Sequence, residues 1–202
     1  DRDPEDIAEN GHINGMVREE VAFGIAPDDA IVLGSDNAAL THGRDPLGTD
    51  TATSGGWERA IPALTTRQSN KVTSGARALV TRAPAGTTAN SYDVDGTTSI
   101  RGPLVQLGAT TGSLTFRYYF AHASNSSSAD YFRAYVERED GSRTLVRQEV
   151  GAADDDKPIW SSVIVSMAPW AGEKVRIVFE AADVSTGTTI EAAVDDVRIA
   201  RP

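Results

Sequence analysis

The sequence contains no cysteine, which excludes disulfide bonds, thiolate metal sites and a cysteine nucleophile. It also has no apolar run approaching the roughly 18 residues that a membrane span needs, so we expect no such span. Aromatic residues are sparse at 6%, while hydrophobic residues make up 40%, a balance typical of a globular domain. The 202 residues allow one large β domain, or a domain with an appendage.

Positive charge is also scarce. Nineteen lysines and arginines stand against 29 acidic residues, which gives a formal net charge of −10. A chain with this excess repels a phosphate backbone, so nucleic acid is excluded as a partner. An acidic surface favours solubility, cation binding or a basic partner.

The first residues have a different pattern from the rest. The sequence starts at Asp1 rather than Met, so we interpret it as a processed or excised piece that has lost any signal peptide. Pro4 followed by two acidic residues is typical of a helix start, and apolar residues then recur at roughly helical spacing. We predict a helical segment over residues 1–27, either packed on the following domain or ending a preceding one. Residues 28–48 are rich in turn formers and are predicted to be a linker or irregular entry region.

From residue 49 onward, apolar and polar residues alternate as in half-buried β-strands. The residues Glu139-Asp140-Gly141-Ser142 form a hairpin-turn sequence between two such strands. The predicted strands cover residues 98–107, 113–121, 131–138, 143–149, 159–167, 174–181 and 189–200. Short strands with polar turns between them predict an all-β fold, a two-sheet antiparallel jelly-roll sandwich over residues 49–202.

Four aspartates are candidate metal ligands: Asp93, Asp130, Asp195 and Asp196. Asp195 and Asp196 are neighbours on the last predicted strand, and strict alternation turns one of them toward the core. A buried carboxylate needs a cation, an arginine or several backbone N–H groups. Oxygen ligands from strand ends and loops suit Ca²⁺, so one interpretation is a structural calcium ion. The alternative is a carboxylate satisfied by backbone amides or by a neighbour such as Arg101 or Arg133.

The remaining polar residues give weaker indications. The three histidines are too far apart for a paired zinc motif and are predicted to be surface or capping residues: His12, His42 and His122. Residues 154–156 are three aspartates, predicted to be a solvated loop, with a second, weaker cation site as the alternative. No catalytic residue is assigned, because Glu180 and Glu191 qualify as a glycosidase pair only by residue type.

The aromatic residues are open to two interpretations. A sugar-binding face uses such residues for stacking, and core packing explains the tryptophans equally well. The residues concerned are Trp57, Trp160, Trp170, Tyr119, Tyr131 and Tyr135.

Four segments, occurring in order, resemble a known family. They are residues 49–59 (TDTATSGGWER), 92–103 (YDVDGTTSIRGP), 118–132 (YYFAHASNSSSADYF) and 180–197, which contains EAAD and EAAVDDV. Together they resemble the β-sandwich modules found C-terminal to secreted zinc carboxypeptidases of actinobacterial type. Those modules are in turn similar to MAM-like and galactose-binding-like jelly rolls.

The resemblance implies a non-catalytic accessory module of a secreted hydrolase, a peptidase, located outside the cell. Its expected partners are a neighbouring catalytic domain, or a carbohydrate or protein ligand. Structural calcium is the one cofactor expected. A stand-alone extracellular adhesion or protein-interaction domain is the alternative function.

Overall fold

The computed structural model describes residues 50–83, 93–184 and 187–199, together with the backbone of Val21–Ala22. The strands in this part of the chain are β1 (Val21–Ala22), β2 (Trp57–Ala60), β3 (Ala78–Thr81), β4 (Gly96–Arg101), β5 (Val105–Gln106), β6 (Ser113–His122), β7 (Tyr131–Arg138), β8 (Arg143–Val150), β9 (Ser161–Ser166), β10 (Lys174–Asp183) and β11 (Ile190–Ile199). A short 3-10 helix, Ala168–Trp170, precedes β10.

These strands form two antiparallel sheets. The six-stranded sheet has the order β2-β3-β11-β6-β9, and β1 also pairs with β11. The five-stranded sheet has the order β4-β10-β7-β8, and β5 also pairs with β10. The order within each sheet crosses the sequence repeatedly, as in a jelly roll.

The core lies between the two sheets, because each long strand turns every second side chain inward. Phe116 and Tyr118 of β6 face Phe132 of β7 and Phe179 of β10. The rings of Tyr118 and Phe132 stack with centroids 4.6 Å apart, and Phe116 meets Phe179 edge to face at 5.2 Å. Trp57 is fully buried in the same core.

The six-stranded sheet is also covered on its outer face. Tyr119, Ala121 and Ala193 alternate with the core residues of β6 and β11, and they pack in a second apolar cluster. Val72 and Trp160 pack against this cluster, so residues near 72 and 160 form a layer over the sheet. A central strand of this sheet is therefore buried on both faces.

The predicted fold class is confirmed: the described residues form an all-β, two-sheet antiparallel jelly-roll sandwich. The hairpin turn is also confirmed, with Gly141 at a φ of 86° between β7 and β8. The predicted strand over residues 98–107 is divided, because β4 ends just before Gly102 and Pro103, and Pro103 has no N–H to donate.

The predicted N-terminal helical segment lies outside the described residues, except for Val21–Ala22. These two residues form β1 and pair with Arg198 and Ile199, so they are extended and not helical. No helix among the described residues has the length and apolar character needed to cross a membrane.

Candidate functional site

One end of the five-stranded sheet brings together aspartates that are far apart in the sequence. Because β10 lies antiparallel to both β4 and β7, its last residues are beside the first residues of those strands. Asp183 at the end of β10 is paired with Gly96, so it lies next to Asp93 and Asp95. The Val184 N–H donates to Asp130 Oδ1 at 2.9 Å, which places Asp130 there too. Asp93, Asp130 and Asp183 are called the Asp183 group below.

Two glycines allow the chain to pack tightly around this group. Gly96 has a φ of 98°, and a Cβ there would lie 2.8 Å from the Thr51 carbonyl oxygen. Gly55 has a φ of 73°, and a Cβ there would lie 2.5 Å from the Asp93 carbonyl oxygen. Gly96 of the Asp-Val-Asp-Gly sequence therefore cannot be replaced without a steric clash, because the segment before β2 lies directly against it.

The members of the Asp183 group are buried, yet two of them have an oxygen that is not satisfied. Asp93 Oδ2 and Asp183 Oδ1 are buried without a hydrogen-bond partner among the described residues. Burial raises the pKa of Asp93 to about 7, and the negative charges of Asp183 and Asp95 add to this rise. Burial also raises the pKa of Asp183 to about 6, with a further contribution from Asp130.

Asp130 differs from the other two because donors surround it. Ser126 Oγ donates to its Oδ2 at 3.0 Å, and the Ser127 N–H donates to the same oxygen at 2.8 Å. Together with the bond from Val184, these donors fix its carboxylate between two loops. It can still share one of these oxygens with a cation.

Asp195 and Asp196, called the Asp195 group below, lie elsewhere on the sandwich. The Val94 N–H donates to the Ile190 carbonyl, so Ile190 is the part of β11 that lies beside Asp93. Asp195 is five residues further along β11, which at about 3.4 Å per residue places it roughly 17 Å from Ile190. Asp195 Oδ2 accepts bonds from the Thr73 N–H at 2.8 Å and the Thr73 hydroxyl at 2.7 Å. The Ser74 N–H adds a third bond at 3.2 Å. Protein donors thus satisfy Asp195.

The prediction that one of these two carboxylates is buried is confirmed for Asp195, as is the alternative that backbone amides satisfy it, but the prediction that it points into the core is wrong. Val194, Val197 and Ile199 all face the core, which strict alternation does not allow. A β-bulge between Asp195 and Arg198 shifts the register by one residue, and Asp196 adopts a φ of 53° there. Both carboxylates therefore point away from the core, toward Thr73 and Ser74.

The prediction for His122 is also wrong. It is the last residue of β6 and is fully buried, not a surface or capping residue. Its Nε2 atom lies 3.3 Å from Asp156 Oδ2 and 3.9 Å from Asp154 Oδ1. His12 and His42 lie outside the described residues.

The outer face of the five-stranded sheet carries partly exposed aromatic and charged side chains. Phe132, Ala134 and Val136 of β7 face the core, so the alternate residues of β7 face outward. Tyr131, Arg133, Tyr135 and, from β10, Glu180 are called the tyrosine face below. Arg133 lies over the Tyr131 ring, 3.7 Å from its centre. The Tyr135 hydroxyl donates to Glu180 at 3.3 Å, so the face is held together by side-chain contacts.

The structure also separates the other aromatic and acidic candidates. Trp57 and Trp170 are core residues, and Trp160 packs edge to face on the buried Tyr119 with centroids 4.9 Å apart. Glu180 and Glu191 lie on the outer faces of different sheets, so they cannot flank one glycosidic bond. Burial raises the pKa of Glu191 well above its usual range, and its Oε2 accepts a 2.9 Å bond from Thr81.

Asp183 is the member of this site that sequence reasoning missed. It belongs to the segment EAAD that carries the family resemblance, but its position at a strand end gave no pattern of its own. An aspartate that ends a long apolar strand just before a turn is the signal that could have identified it.

The fold is a two-sheet antiparallel jelly-roll sandwich. No protein-family model matches the sequence, and no curated protein sequence matches it. Among solved structures, the K2 cleaved adhesin domain of Lys-gingipain is 15% identical with a TM-score of 0.47, and the match covers 82% of this chain and 95% of that domain. A structure of carbohydrate-binding modules from the β-sandwich superfamily is 13% identical with a TM-score of 0.44, covering 76% of this chain and 57% of that one.

A third similar structure is the module CBM27-1 of Caldicellulosiruptor saccharolyticus in complex with mannohexaose. It is 14% identical with a TM-score of 0.42, and the match covers 71% of this chain and 81% of that one. At these identities the likeness concerns the fold alone.

Proposed function

We propose that this chain is a non-catalytic, extracellular binding module that takes a carbohydrate on its tyrosine face. The observation that carries the proposal is the row of outward side chains on β7, where tyrosines alternate with charged residues. Tyr131 and Tyr135 are both partly exposed, whereas the other candidate aromatics described above pack in the core or against its outer cover.

The chemistry of this face suits a sugar. A tyrosine ring offers a flat apolar surface to the C–H groups of a pyranose, and its hydroxyl offers a hydrogen bond. Arg133 Nε donates to Gln148 Oε1 at 3.0 Å and Arg133 lies opposite Glu180 in the strand pairing, so donors and acceptors are held beside the rings. A sugar that stacks on Tyr131 displaces the Arg133 guanidinium, which then becomes available to sugar hydroxyls.

The proposal is tested by affinity electrophoresis through gels containing soluble polysaccharides, both neutral and uronic-acid-containing. Replacing both tyrosines by alanine (Y131A/Y135A) removes the stacking surface, and we expect affinity to fall by about tenfold or more. The matched control is Ile164→Ala, which truncates an exposed apolar residue on the other sheet. Unchanged retardation of the double variant, or no retardation of the wild type by any polysaccharide, contradicts the proposal.

We further propose that the Asp183 group binds a structural calcium ion. Its donors are all oxygens, which Ca²⁺ prefers, and the unsatisfied oxygens of Asp93 and Asp183 are the kind that an ion satisfies. The backbone around them is closely packed by Gly55 and Gly96. Asp195 and Asp196 are not included, because Thr73 and Ser74 already supply their donors.

The carboxylates of the Asp183 group are more widely spread than those of a closed site. Among the described residues, the side chains whose possible ligand atoms all lie within 4.8 Å of one another are His122, Asp154 and Asp156, and not the Asp183 group. Calcium at the Asp183 group therefore requires side-chain rotation that draws the carboxylates together, with the ion supplying the charge that offsets their repulsion.

The calcium proposal is tested by thermal melts in excess EDTA, in millimolar Ca²⁺ and in millimolar Mg²⁺. We expect an upward shift of the melting temperature with Ca²⁺ and a smaller one with Mg²⁺, which demands a tighter octahedral geometry. Coincident melts in EDTA and Ca²⁺ contradict it.

The placement of the module beside a secreted hydrolase, a peptidase, is supported by the four segments that resemble carboxypeptidase-associated modules. The coding sequence upstream of Asp1 tests this placement directly. A peptidase domain there supports it. A cell-wall anchor, or repeated copies of the sandwich, favours a stand-alone adhesion domain instead.

A further inference from the structure

A second group of metal-ligating residues lies near the end of β6, apart from the Asp183 group. His122 ends β6, and its side chain is only 1% exposed. Its Nδ1 lies 3.2 Å from the Ala123 carbonyl oxygen. A carbonyl only accepts hydrogen bonds, so in the neutral ring the proton belongs on Nδ1 and the lone pair on Nε2.

The free lone pair of Nε2 faces two carboxylates and not a donor. Asp156 Oδ2 lies 3.3 Å away and Asp154 Oδ1 lies 3.9 Å away, but neither has the geometry of a hydrogen bond, and Nε2 has no such partner in the described ranges. A buried lone pair opposite two negative charges is repulsive. A cation between the three groups removes that repulsion.

Only two of the three consecutive aspartates in this loop face His122. Asp155 lies between Asp154 and Asp156, and its carboxylate pairs with Arg67 and, at 2.6 Å, with Lys157. The two flanking aspartates turn to the opposite side, toward the histidine. The Asp156 N–H also bonds to the His122 carbonyl at 3.1 Å, which holds this loop against the end of β6.

The distances in this group are close to those of a small metal site. The three ligand atoms of His122, Asp154 and Asp156 all lie within 4.8 Å of one another. Tetrahedral coordination with bonds of about 2.1 Å separates neighbouring ligand atoms by about 3.4 Å. The separation of 3.3 Å between Nε2 and Asp156 Oδ2 agrees with this value, whereas the 3.9 Å between Nε2 and Asp154 Oδ1 requires the exposed Asp154 side chain to move closer.

We propose that His122, Asp154 and Asp156 bind a divalent transition-metal ion, for which Zn²⁺ is the probe. An imidazole nitrogen favours such ions over Ca²⁺ and Mg²⁺, which take oxygen ligands. Hydrogen bonding of Nδ1–H to a backbone carbonyl is the usual outer-shell contact of a metal-bound histidine. The carboxylates are 67% and 50% exposed, so the ion enters from solvent and water completes its coordination.

The test is calorimetric titration of Zn²⁺ into the untagged full chain, carrying His12→Gln and His42→Gln so that one histidine remains. We expect one equivalent to bind. The variant D154N/D156N changes two exposed residues, so it should fold, and we expect its affinity for zinc to fall by about tenfold or more. The matched control Asp155→Asn removes the same type of charge from the same loop and should leave zinc binding unchanged.

The ring of His122 gives a readout that does not depend on the acidic variants. Nitrogen chemical shifts of the imidazole should show Nε2 bound to metal and Nδ1 still protonated when Zn²⁺ is added. The proposal is overturned if D154N/D156N leaves the zinc affinity unchanged, or if D155N lowers it by as much. It is also overturned if the His122 ring keeps protons on both nitrogens and binds no zinc. Zinc binding should persist in the variant D93N/D183N, which separates this site from the calcium site proposed above.

Discussion

Asp195 and Asp183 are both buried aspartates on long strands, but they differ in the hydrogen-bond donors that surround their carboxylates. Three backbone N–H groups and one hydroxyl donate to the Asp195 carboxylate. Within the described ranges, Asp183 Oδ2 accepts a bond from the Thr188 N–H at 2.8 Å, and Asp183 Oδ1 is buried without a hydrogen-bond partner. An acidic residue type therefore does not identify a cation site. An unsatisfied buried oxygen is the better indicator, because of these two carboxylates only that of Asp183 has one among the described residues.

The largest effect should come from removing the acceptor at Asp195. The change Asp195→Ala leaves the N–H groups of Thr73, Ser74 and Asp196 without their partner. A buried donor without an acceptor costs about 1–3 kcal/mol, so we expect the free energy of unfolding to fall by about 3 kcal/mol or more. Denaturant unfolding measures this loss, which should be the same in EDTA and in Ca²⁺. A loss that appears only in Ca²⁺ would place an ion at Asp195.

A somewhat smaller effect should appear at the Asp183 group, and only in calcium. At a hundredfold excess over its dissociation constant, Ca²⁺ should stabilise the wild type by about 2.7 kcal/mol. The variant D93N/D183N should lose this gain and remain close to the wild type in EDTA, because the amides remove the repulsion between the two carboxylates.

Asp195→Asn is the matched control for that experiment. It replaces a buried carboxylate by the same isostere, and it should lower stability while keeping the full calcium gain. If D93N/D183N keeps the gain and D195N loses it, the assignment of the two groups is reversed.

The stability in EDTA should depend on pH through the Asp183 group. The folded chain holds protons on Asp93 up to a pKa of about 7 and on Asp183 up to about 6, whereas both are released near 3.8 in the unfolded chain. Their contribution to stability is therefore complete below the unfolded value and is lost as the pH rises through the folded values.

This loss can be isolated by subtracting the unfolding free energies of D93N/D183N from those of the wild type at each pH. The difference should decline from about pH 4 to about pH 8, and saturating Ca²⁺ should abolish the decline because the ion binds the ionised carboxylates. A difference that stays flat in EDTA argues against raised pKa values at Asp93 and Asp183.

The smallest effect should follow Arg117→Ala. Arg117 Nε lies 3.8 Å from Asp196 Oδ2, and the two side chains are 51% and 35% exposed. Exposed pairs of this kind contribute little, so we expect stability to change by less than about 0.5 kcal/mol. A larger loss in denaturant unfolding would mean that Arg117 helps to hold the bulge at Asp196.

Alternation predicted strands such as β7 because one of their faces lies in the core and the other is less buried. It failed for β3, whose four residues are all buried, since this strand is covered on both sides. It also failed for β2, where Trp57 is fully buried and the next three residues are only partly buried, which leaves no repeat to detect.

The sites were harder to predict because they depend on where strands end. His122 and Asp156 are brought together by the pairing of β6 with β9 and by the loop between β8 and β9, neither of which has a local pattern. The bulge at Asp196 reverses the two faces of β11 within one residue, and a non-glycine residue at positive φ gives no sequence signal.

The edge strands β8 and β9 differ in how they are protected from other chains. β8 carries Arg143, Arg147 and Glu149, and charged side chains discourage the addition of a further strand. β9, at the edge of the six-stranded sheet, consists of serine, valine and isoleucine, and its Ile164 is 76% exposed. Within the described ranges no strand pairs with its outer side. Self-association at high concentration should therefore begin at β9, and a lysine in place of Ile164 is the change that should suppress it.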